Sequence, residues 1–256
     1  MTIARASTLA VALAATLFAV GCERPRPVLL CHNSNCVGTL DASRDDTMPA
    51  LQASLELGPA VLDGVEIDAV WQDNDCHFAH DAGDPAAPLL VDALDVVVDY
   101  LKRMGPPHSG VTFTLLLELK GAGDANADLD RCVGRAVNSL ERVSHDVPIQ
   151  LLISSFDQKL LKARALQRVA APLNMQLGAE IWTTSDLGPL RSTLDFVSVT
   201  PSDTDAPAYG RYADQGYDVA LWNEGVTPTF LDAVALHSPR YVSVGEAALM
   251  RAWIGN

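Results

Sequence analysis

The chain alternates short apolar runs of β-strand type with longer stretches in which apolar residues recur at helical spacing. Several of the helical stretches open with a capping Thr, Asp or Ser. The predicted strands are 28–30, 64–70, 112–120, 149–155, 175–181, 196–200, 218–222 and 240–244, and the predicted helices include 48–57, 89–102, 127–143, 158–169, 227–236 and 246–254. Strands that alternate with helices form a parallel sheet, and this number of units fits a closed barrel. We therefore predict an α/β fold, a single (β/α)8 TIM barrel, over residues 28–256.

The sequence argues against two classes of ligand. No glycine-rich loop follows the first predicted strand, which disfavours dinucleotide binding. The formal net charge at pH 7 is −14, and a surface of that sign repels DNA and RNA. We therefore expect no nucleic-acid partner, and the oligomeric state stays open.

Residues 1–21 differ in character from the rest of the chain. Arg5 precedes an apolar run that is too short to span a bilayer and that ends in small residues just before Cys22. This pattern is typical of a secretory signal, and its end resembles the lipoprotein type, in which the cysteine is lipidated after cleavage. We therefore predict a signal peptide over 1–21, a membrane anchor at Cys22, a tether over 22–27 and a bacterial cell-envelope location. The alternative is an ordinary secreted protein in which Cys22 has no such role.

The remaining cysteines are even in number, in a compartment that permits disulfides. They are Cys31, Cys36, Cys76 and Cys132. Three pairings are open, and the short loop between Cys31 and Cys36 is one natural candidate. A zinc site is the competing interpretation, but the spacings lack a paired Cys-x-x-Cys signature.

Carboxylates cluster where predicted strands end, which in a TIM barrel is the position of the active site. Glu66 and Asp68 lie two residues apart and therefore on one face of the second strand, while Glu118 and Lys120 close the third. Three carboxylates at one mouth repel each other unless a cation binds, and oxygen ligands favour Mg²⁺ or Ca²⁺. We therefore predict one divalent cation on Glu66, Asp68 and Glu118. The alternative is a structural ion network with Lys120 or an arginine.

Three histidines near predicted strand ends are considered for proton transfer. His32 directly follows the first strand, whereas His77 and His80 lie in an extended return after the second. Residues three apart in an extended segment face opposite ways, so only one of these two enters the site. We choose His80, because Asp81 follows it and Phe78 shares its side of the strand.

Further polar and aromatic residues follow other predicted strands. Asn33 comes after His32, Ser154 ends the fourth strand and Trp222 ends the seventh. We expect all three to contact substrate. For Ser154 the alternative is a cap of the strand's turn, and for Trp222 it is a place in the core.

These residues lie in motifs whose order along the chain resembles the glycerophosphodiester phosphodiesterase family. The resemblance spans nearly the whole mature chain, and the ordered set is more specific than any one motif. The motifs are Cys31-His32-Asn33-Ser34, the run 45–58, Asp63-Gly64-Val65-Glu66-Ile67-Asp68, His80-Asp81, Glu118-Leu119-Lys120, Ser154-Ser155-Phe156 and, more weakly, Leu221-Trp222-Asn223.

The resemblance implies a metal-dependent phosphoric diester hydrolase that acts on glycerophosphodiesters or related lipid-derived phosphodiesters. It implies Glu66, Asp68 and Glu118 as metal ligands and Lys120 as a phosphate contact. It implies His32 and His80 as acid and base, in an order that the sequence leaves open. Physical chemistry supports these roles, because a phosphodiester needs its charge offset and needs proton transfer at both oxygens.

Departures from the family pattern keep other functions open. Asn33 stands where the family has arginine, Asp45 replaces a glutamate, and only 37 residues separate His80 from Glu118. The histidine without a following arginine, the shortened barrel and the cysteines near the site are also similar to the sphingomyelinase D and phospholipase D branch of the phosphatidylinositol phospholipase C-like superfamily, whose members often form a cyclic phosphate. A non-catalytic envelope binding protein on the same barrel is a further alternative. A metal-free phosphatidylinositol-type phospholipase C would leave the three acids unexplained.

Overall fold

A computed structural model describes residues 26–37, 41–104, 112–120, 126–157, 173–181, 193–201 and 206–255. Its centre is a nine-stranded sheet. The strands are β1 (Val28–Cys31), β2 (Gly64–Gln72), β3 (Asp75–Phe78), β4 (Phe113–Leu119), β5 (Ile149–Ser155), β6 (Asn174–Ile181), β7 (Phe196–Val199), β8 (Asp218–Asn223) and β9 (Tyr241–Val244). The predicted signal segment 1–21, Cys22 and the predicted helix 158–169 lie outside the described residues.

Eight of the strands are parallel and close into a barrel. Each pairs with the next around the ring, and β1 pairs with both β9 and β2, which closes the sheet. The ninth, β3, runs antiparallel to β2 after a turn in which Asp73 and Asn74 adopt the left-handed conformation. The (β/α)8 barrel predicted from the sequence is confirmed, and β3 is the expected extended return.

Six described helices surround the barrel: α1 (Met48–Leu55), α2 (Leu90–Met104), α3 (Asn126–Glu141), α4 (Ala206–Asp214), α5 (Pro228–His237) and α6 (Ala247–Ile254). The hydroxyls of Thr47 and Thr227 accept hydrogen bonds from backbone N–H groups in the first turns of α1 and α5. A proline lies within the first two residues of each of these helices. The sequence missed α4. Among the described residues, no helix is long and apolar enough to cross a membrane.

The inside of the barrel changes from apolar to polar along the strands. At the amino ends it is filled by Leu30, Leu116, Leu152, Phe196, Ala220 and Tyr241. Gly178 makes room for this filling, because a Cβ there would lie 2.3 Å from the Phe196 ring. Towards the carboxyl ends, the inward positions carry buried polar groups such as Glu66, Glu118 and Glu180. The floor is therefore a packed core, and the polar layer above it is the place for chemistry.

Two disulfides fasten the chain near this polar layer. Cys31 bonds Cys36, as the short loop suggested, and Cys76 bonds Cys132. The first encloses His32 and Asn33, and the second joins β3 to α3. With all four cysteines in disulfides, the zinc interpretation is wrong.

Candidate active site

His32 lies at the barrel mouth between two carboxylates. Its Nδ1 is 3.0 Å from Oε2 of Glu66, and its Nε2 is 3.6 Å from Oε1 of Glu224. The Trp222 ring stacks on the imidazole, with centroids 5.2 Å apart. Ser243 donates its hydroxyl hydrogen to the same Glu66 oxygen. The ring is thus held on both edges and one face, and Nε2 points to the side of the exposed Glu224.

The three predicted metal ligands meet beside His32. Glu66, Asp68 and Glu118 are all buried, and each offers one oxygen within 4.8 Å of the others. Lys120 contacts two of them, with Nζ 2.8 Å from Oε1 of Glu118 and 3.1 Å from Oδ2 of Asp68. The ion network and the metal site that the sequence left as alternatives therefore share the same residues.

The carboxylates of this cluster outnumber the two side chains beside them that can carry positive charge, Lys120 and His32. Burial raises the pKa of Asp68 well above its ordinary value, and Asp46 and Glu118 add to the effect. Burial also raises the pKa of Glu118, against the influence of Lys120. Burial likewise opposes ionisation of Glu66, but His32 outweighs it and lowers the pKa of that carboxyl.

The two cations respond in the opposite direction. Burial disfavours the imidazolium, yet the carboxylates of Glu66 and Glu224 prevail and raise the pKa of His32 to about 10. Burial also opposes the charge of Lys120, but Asp68 and Glu118 raise the pKa of its ammonium. Both groups are positively charged at neutral pH in this arrangement.

A divalent cation fits these residues. The donor set consists of carboxylate oxygens, which suits Mg²⁺ or Ca²⁺. Oδ1 of Asp68 is buried and has no hydrogen-bond partner among the described residues. A bound cation would satisfy this oxygen and would lower the carboxyl pKa values that burial and mutual repulsion raise.

The mouth above the carboxylates opens into a cavity of about 820 Å³. It is lined by His32, Asn33, Val70, His80, Asp81, Ala82, Glu118, Lys120, Phe156, Thr200, Trp222 and Glu224. Six of the predicted site residues are therefore on one surface. The volume suits a small organic ligand.

The second histidine lies at the rim of this cavity. The His80 side chain is 48% exposed, and its Nδ1 is 3.3 Å from Oδ2 of Asp81. His77 is not among the cavity-lining residues, and its Nδ1 donates to the Ala87 carbonyl oxygen at 2.9 Å. Of these two histidines, His80 is therefore the one that borders the cavity.

Asn33 lies next to His32 in a backbone conformation that asparagine tolerates better than most residues do. Its φ of 45° is left-handed, and Ser34 follows with a φ of 56°. The Asn33 amide donates to Oδ2 of Asp45 at 3.4 Å, and Asn35 donates to Oδ1 of the same carboxylate at 2.8 Å. Asp45 thus anchors the loop that carries His32.

Ser154 lies below the cavity and not on its wall. It is fully buried. The hydroxyls of Ser154 and Ser198 partly offset the rise in the pKa of Glu180. Phe156, two residues on, lines the cavity instead. The expected substrate contact of Ser154 has no counterpart on the cavity surface.

Sequence reasoning missed four residues of the site. Glu180, the second-to-last residue of β6, is buried inside the barrel, where burial together with Glu118 and Glu66 raises its pKa to about 8. Asp46 accepts the backbone N–H of Asp68, and burial raises its pKa to about 7. Glu224 and Ser243 contact His32 and Glu66. The inward position of Glu180 at a strand's carboxyl end was a signal that could have found it.

Several solved structures with the same architecture are phosphodiesterases. An Oleispira antarctica phosphodiesterase in complex with its product sn-glycerol-3-phosphate aligns with a TM-score of 0.66 and 16% identity, over 90% of this chain and 97% of that chain. A Parabacteroides distasonis glycerophosphodiester phosphodiesterase aligns with a TM-score of 0.61 and 11% identity, over 90% and 97%. One from Agrobacterium tumefaciens gives 0.54 and 16%, over 88% and 99%.

These similarities define the class of fold. No protein-family model matches the chain, and no curated protein matches it. The chain has the (β/α)8 barrel found in glycerophosphodiester phosphodiesterases, so the resemblance predicted from the sequence motifs is confirmed at the level of fold. The similar structures are matched over nearly their whole length.

Proposed function

We propose that the protein is a metal-dependent phosphodiesterase that hydrolyses glycerophosphodiesters or related small phosphodiesters. The observation that carries this proposal is the convergence of three buried carboxylates, Lys120 and His32 at one end of the barrel, with His80 at the rim of the same cavity. The solved phosphodiesterase with bound sn-glycerol-3-phosphate supports a glycerol-containing substrate.

Glu66, Asp68 and Glu118 would hold the cation in this function. A divalent cation there supplies Lewis-acid stabilisation of negative charge on the phosphoryl oxygens. Lys120 adds a positive charge beside the same position. Because Lys120 is 18% exposed and lines the cavity, its ammonium can donate to a phosphoryl oxygen without leaving the site.

His32 and His80 carry the protons. Nδ1 of His32 is engaged by Glu66, so proton exchange with the substrate takes place at Nε2. Nδ1 of His80 faces Asp81, so Nε2 is again the reacting nitrogen. One imidazole accepts a proton from the attacking oxygen and the other donates a proton to the leaving oxygen.

A second candidate function is a binding protein that uses the same cavity without turnover. The specific observation in its favour is that Lys120 already offsets two of the three carboxylates. Asn33 in the place of the family's arginine removes a further phosphate contact. Two histidines directed at one cavity favour the enzyme, because a binding site does not need two proton carriers.

The test is hydrolysis of bis-(p-nitrophenyl) phosphate and a panel of glycerophosphodiesters and lysophospholipids, with Mg²⁺, with Ca²⁺ and with chelator. We expect turnover that disappears with chelator and in Glu66→Ala, and that falls at least 100-fold in His32→Ala and His80→Ala. Metal binding without turnover of any diester would favour the binding protein. Cyclic phosphate as the product would place the chain with the lipid-cleaving branch.

A further inference from the structure

The end of the barrel opposite the site is where the chain enters the fold and where its outer helices finish. β1 begins there at Val28, and helices that follow parallel strands run back to the same end. Contacts of α6 agree: Arg251 donates to the Val61 carbonyl oxygen and to Oδ2 of Asp63, both at 2.8 Å. Asp63 directly precedes β2, so the last turn of α6 lies at the amino ends of the strands. We call this surface the entry end.

Exposed apolar side chains are concentrated at the entry end. Four large hydrophobic residues are exposed among those described: Met104 (45%), Leu236 (69%), Leu249 (53%) and Trp253 (38%). Met104 is the last residue of α2, and Leu236 and Trp253 are the second-to-last residues of α5 and α6. Three of the four therefore stand where helices end at this surface, which is an uneven distribution for exposed apolar groups.

A groove at the entry end collects part of this apolar surface beside a cation. It has a volume of about 310 Å³ and lies between the ends of α5 and α6 and the segment leading into β1. Its lining includes Arg26, Pro27, Val234, Pro239, Trp253 and Ile254. An indole at an apolar surface with an arginine next to it is suited to a boundary between water and lipid head groups.

The number of residues between Cys22 and β1 limits which surface of the barrel can lie near a membrane that holds an anchor at Cys22. Cys22 precedes Val28 by six residues, which span at most about 20 Å when fully extended. Helix α3 has 16 residues and so is about 24 Å long, which gives a lower estimate of the barrel's height. An anchor at Cys22 thus keeps the entry end close to the membrane, and it cannot let the opposite end face that membrane.

We propose that the entry end rests on the membrane that holds the lipid anchor at Cys22, with Trp253 and Leu236 inserted at the head-group level and Arg26 near the lipid phosphates. The cavity then faces away from that membrane. The substrates are accordingly phosphodiesters dissolved in water, not lipids of the membrane that carries the protein. This inference rests on the predicted anchor at Cys22 and is independent of turnover.

Tryptophan fluorescence tests the orientation. The full lipidated chain is reconstituted in vesicles of phosphatidylcholine and phosphatidylglycerol, with plain or brominated acyl chains, because bromine quenches only indoles close to it. The chain has four tryptophans, so Trp253→Phe isolates the contribution of the entry end. We expect brominated lipid to quench the natural chain, and Trp253→Phe to lose at least half of that quenching.

A matched pair of substitutions separates the two ends of the barrel. In the Trp253→Phe background, Leu236→Trp adds an indole at the entry end and Ala82→Trp adds one at the cavity rim. We expect quenching of the first and none of the second. Equal quenching of both, unchanged quenching in Trp253→Phe, or an unmodified Cys22 by mass spectrometry would each overturn the proposal. A chain that cleaves no diester would still give this fluorescence result, so the two proposals fail separately.

Discussion

Nζ of Lys120 lies 3.1 Å from Oδ2 of Asp68. The residue proposed to contact the phosphate is therefore paired with a residue proposed to bind the metal. In the absence of metal the ammonium offsets part of the charge of the acidic cluster. A bound cation would take over that task and leave the ammonium available to the substrate. The Lys120 ammonium and a bound cation can therefore each offset the mutual repulsion of the carboxylates.

This relationship predicts a metal-dependent cost for Lys120→Met. In chelator, we expect the free energy of unfolding to fall by about 3 kcal/mol, because removing one partner of a buried ion pair leaves the other uncompensated. Saturating Ca²⁺ or Mg²⁺ should recover at least half of the loss. Denaturant unfolding with and without metal measures both values.

The matched control is Lys102→Met. Lys102 is 55% exposed and lies 3.8 Å from Asp99 on the same helix, so its removal should cost less than about 0.5 kcal/mol with or without metal. If Lys120→Met loses the same amount with and without metal, then the carboxylates do not hold the cation.

Glu180 predicts a stability that falls as the pH rises. Burial, with Glu118 and Glu66, raises its pKa from the ordinary 4.5 to about 8 in the folded chain. Between these values the folded state binds more protons at Glu180 than the unfolded state, so the contribution of Glu180 to the free energy of unfolding decreases from pH 4.5 to pH 8. Glu180→Gln removes this contribution and should flatten the slope. Urea unfolding in chelator at several pH values measures it.

The control for this slope is Glu56→Gln, which changes an exposed carboxyl at the end of α1. We expect the natural slope in that variant. An unchanged slope in Glu180→Gln would mean that Glu180 is ionised in the folded protein despite its burial.

Glu224 predicts the protonation behaviour of His32. Its Oε1 lies 3.6 Å from Nε2, and Glu224 and Glu66 together outweigh the effect of burial and raise the pKa of His32 to about 10. Glu224→Gln removes one negative charge, so the pKa of His32 should fall. NMR titration of the imidazole in chelator measures the shift, and Glu224→Asp should retain more of the elevation than Glu224→Gln. An imidazole pKa in both variants equal to that of the natural chain would show that Glu224 does not raise the pKa of His32.

The barrel and the acidic cluster could be predicted because both follow from short-range periodicity. A parallel strand buried on both faces is apolar along its length, so an acid in β2 or β4 stands out. Glu66 and Asp68 share a face because the strand period is two. Glu118 joins them because β4 pairs with β2 in a register that places Asp68 opposite Glu118.

The residues that were missed depend on longer-range geometry. Asp46 reaches the backbone of Asp68 from the loop before α1, and the course of that loop is not encoded in a local period. Glu224 contacts His32 only because β8 and β1 flank β9 in the closed ring. The pairing of Cys76 with Cys132 likewise depends on α3 packing next to β3.

Asn33 predicts a gain in binding with a loss in stability when arginine is introduced. The residue has a φ of 45°, a conformation that asparagine tolerates and that costs most other residues about 1 kcal/mol. Asn33→Arg should therefore destabilise the chain by about that amount and lower KM for a phosphodiester anion about tenfold through one charge-assisted hydrogen bond. Asn33→Gln is the matched variant, since it has the backbone cost without the charge. Equal KM values in the two variants would contradict a phosphate position next to residue 33.

We expect loss of the Cys76–Cys132 disulfide to affect mainly stability, and loss of the Cys31–Cys36 disulfide to affect mainly turnover. Cys76 and Cys132 are 56 residues apart, so their bond removes more freedom from the unfolded chain than that of Cys31 and Cys36, which are 5 apart. Loop entropy gives about 4 and about 2 kcal/mol, respectively. The short loop nevertheless contains His32 and Asn33, so its removal should have the larger effect on turnover.

Paired alanine variants test this difference. Cys76→Ala with Cys132→Ala should lose more stability and keep most of kcat below the unfolding transition, whereas Cys31→Ala with Cys36→Ala should lose less stability and at least tenfold in kcat. Denaturant unfolding and turnover of the same preparations give both quantities. Equal kcat values in the two double variants would mean that Glu66, Glu224 and Trp222 hold His32 in place without the short disulfide loop. The larger kcat loss in the short-loop variant would instead show that the covalent loop helps to position the imidazole.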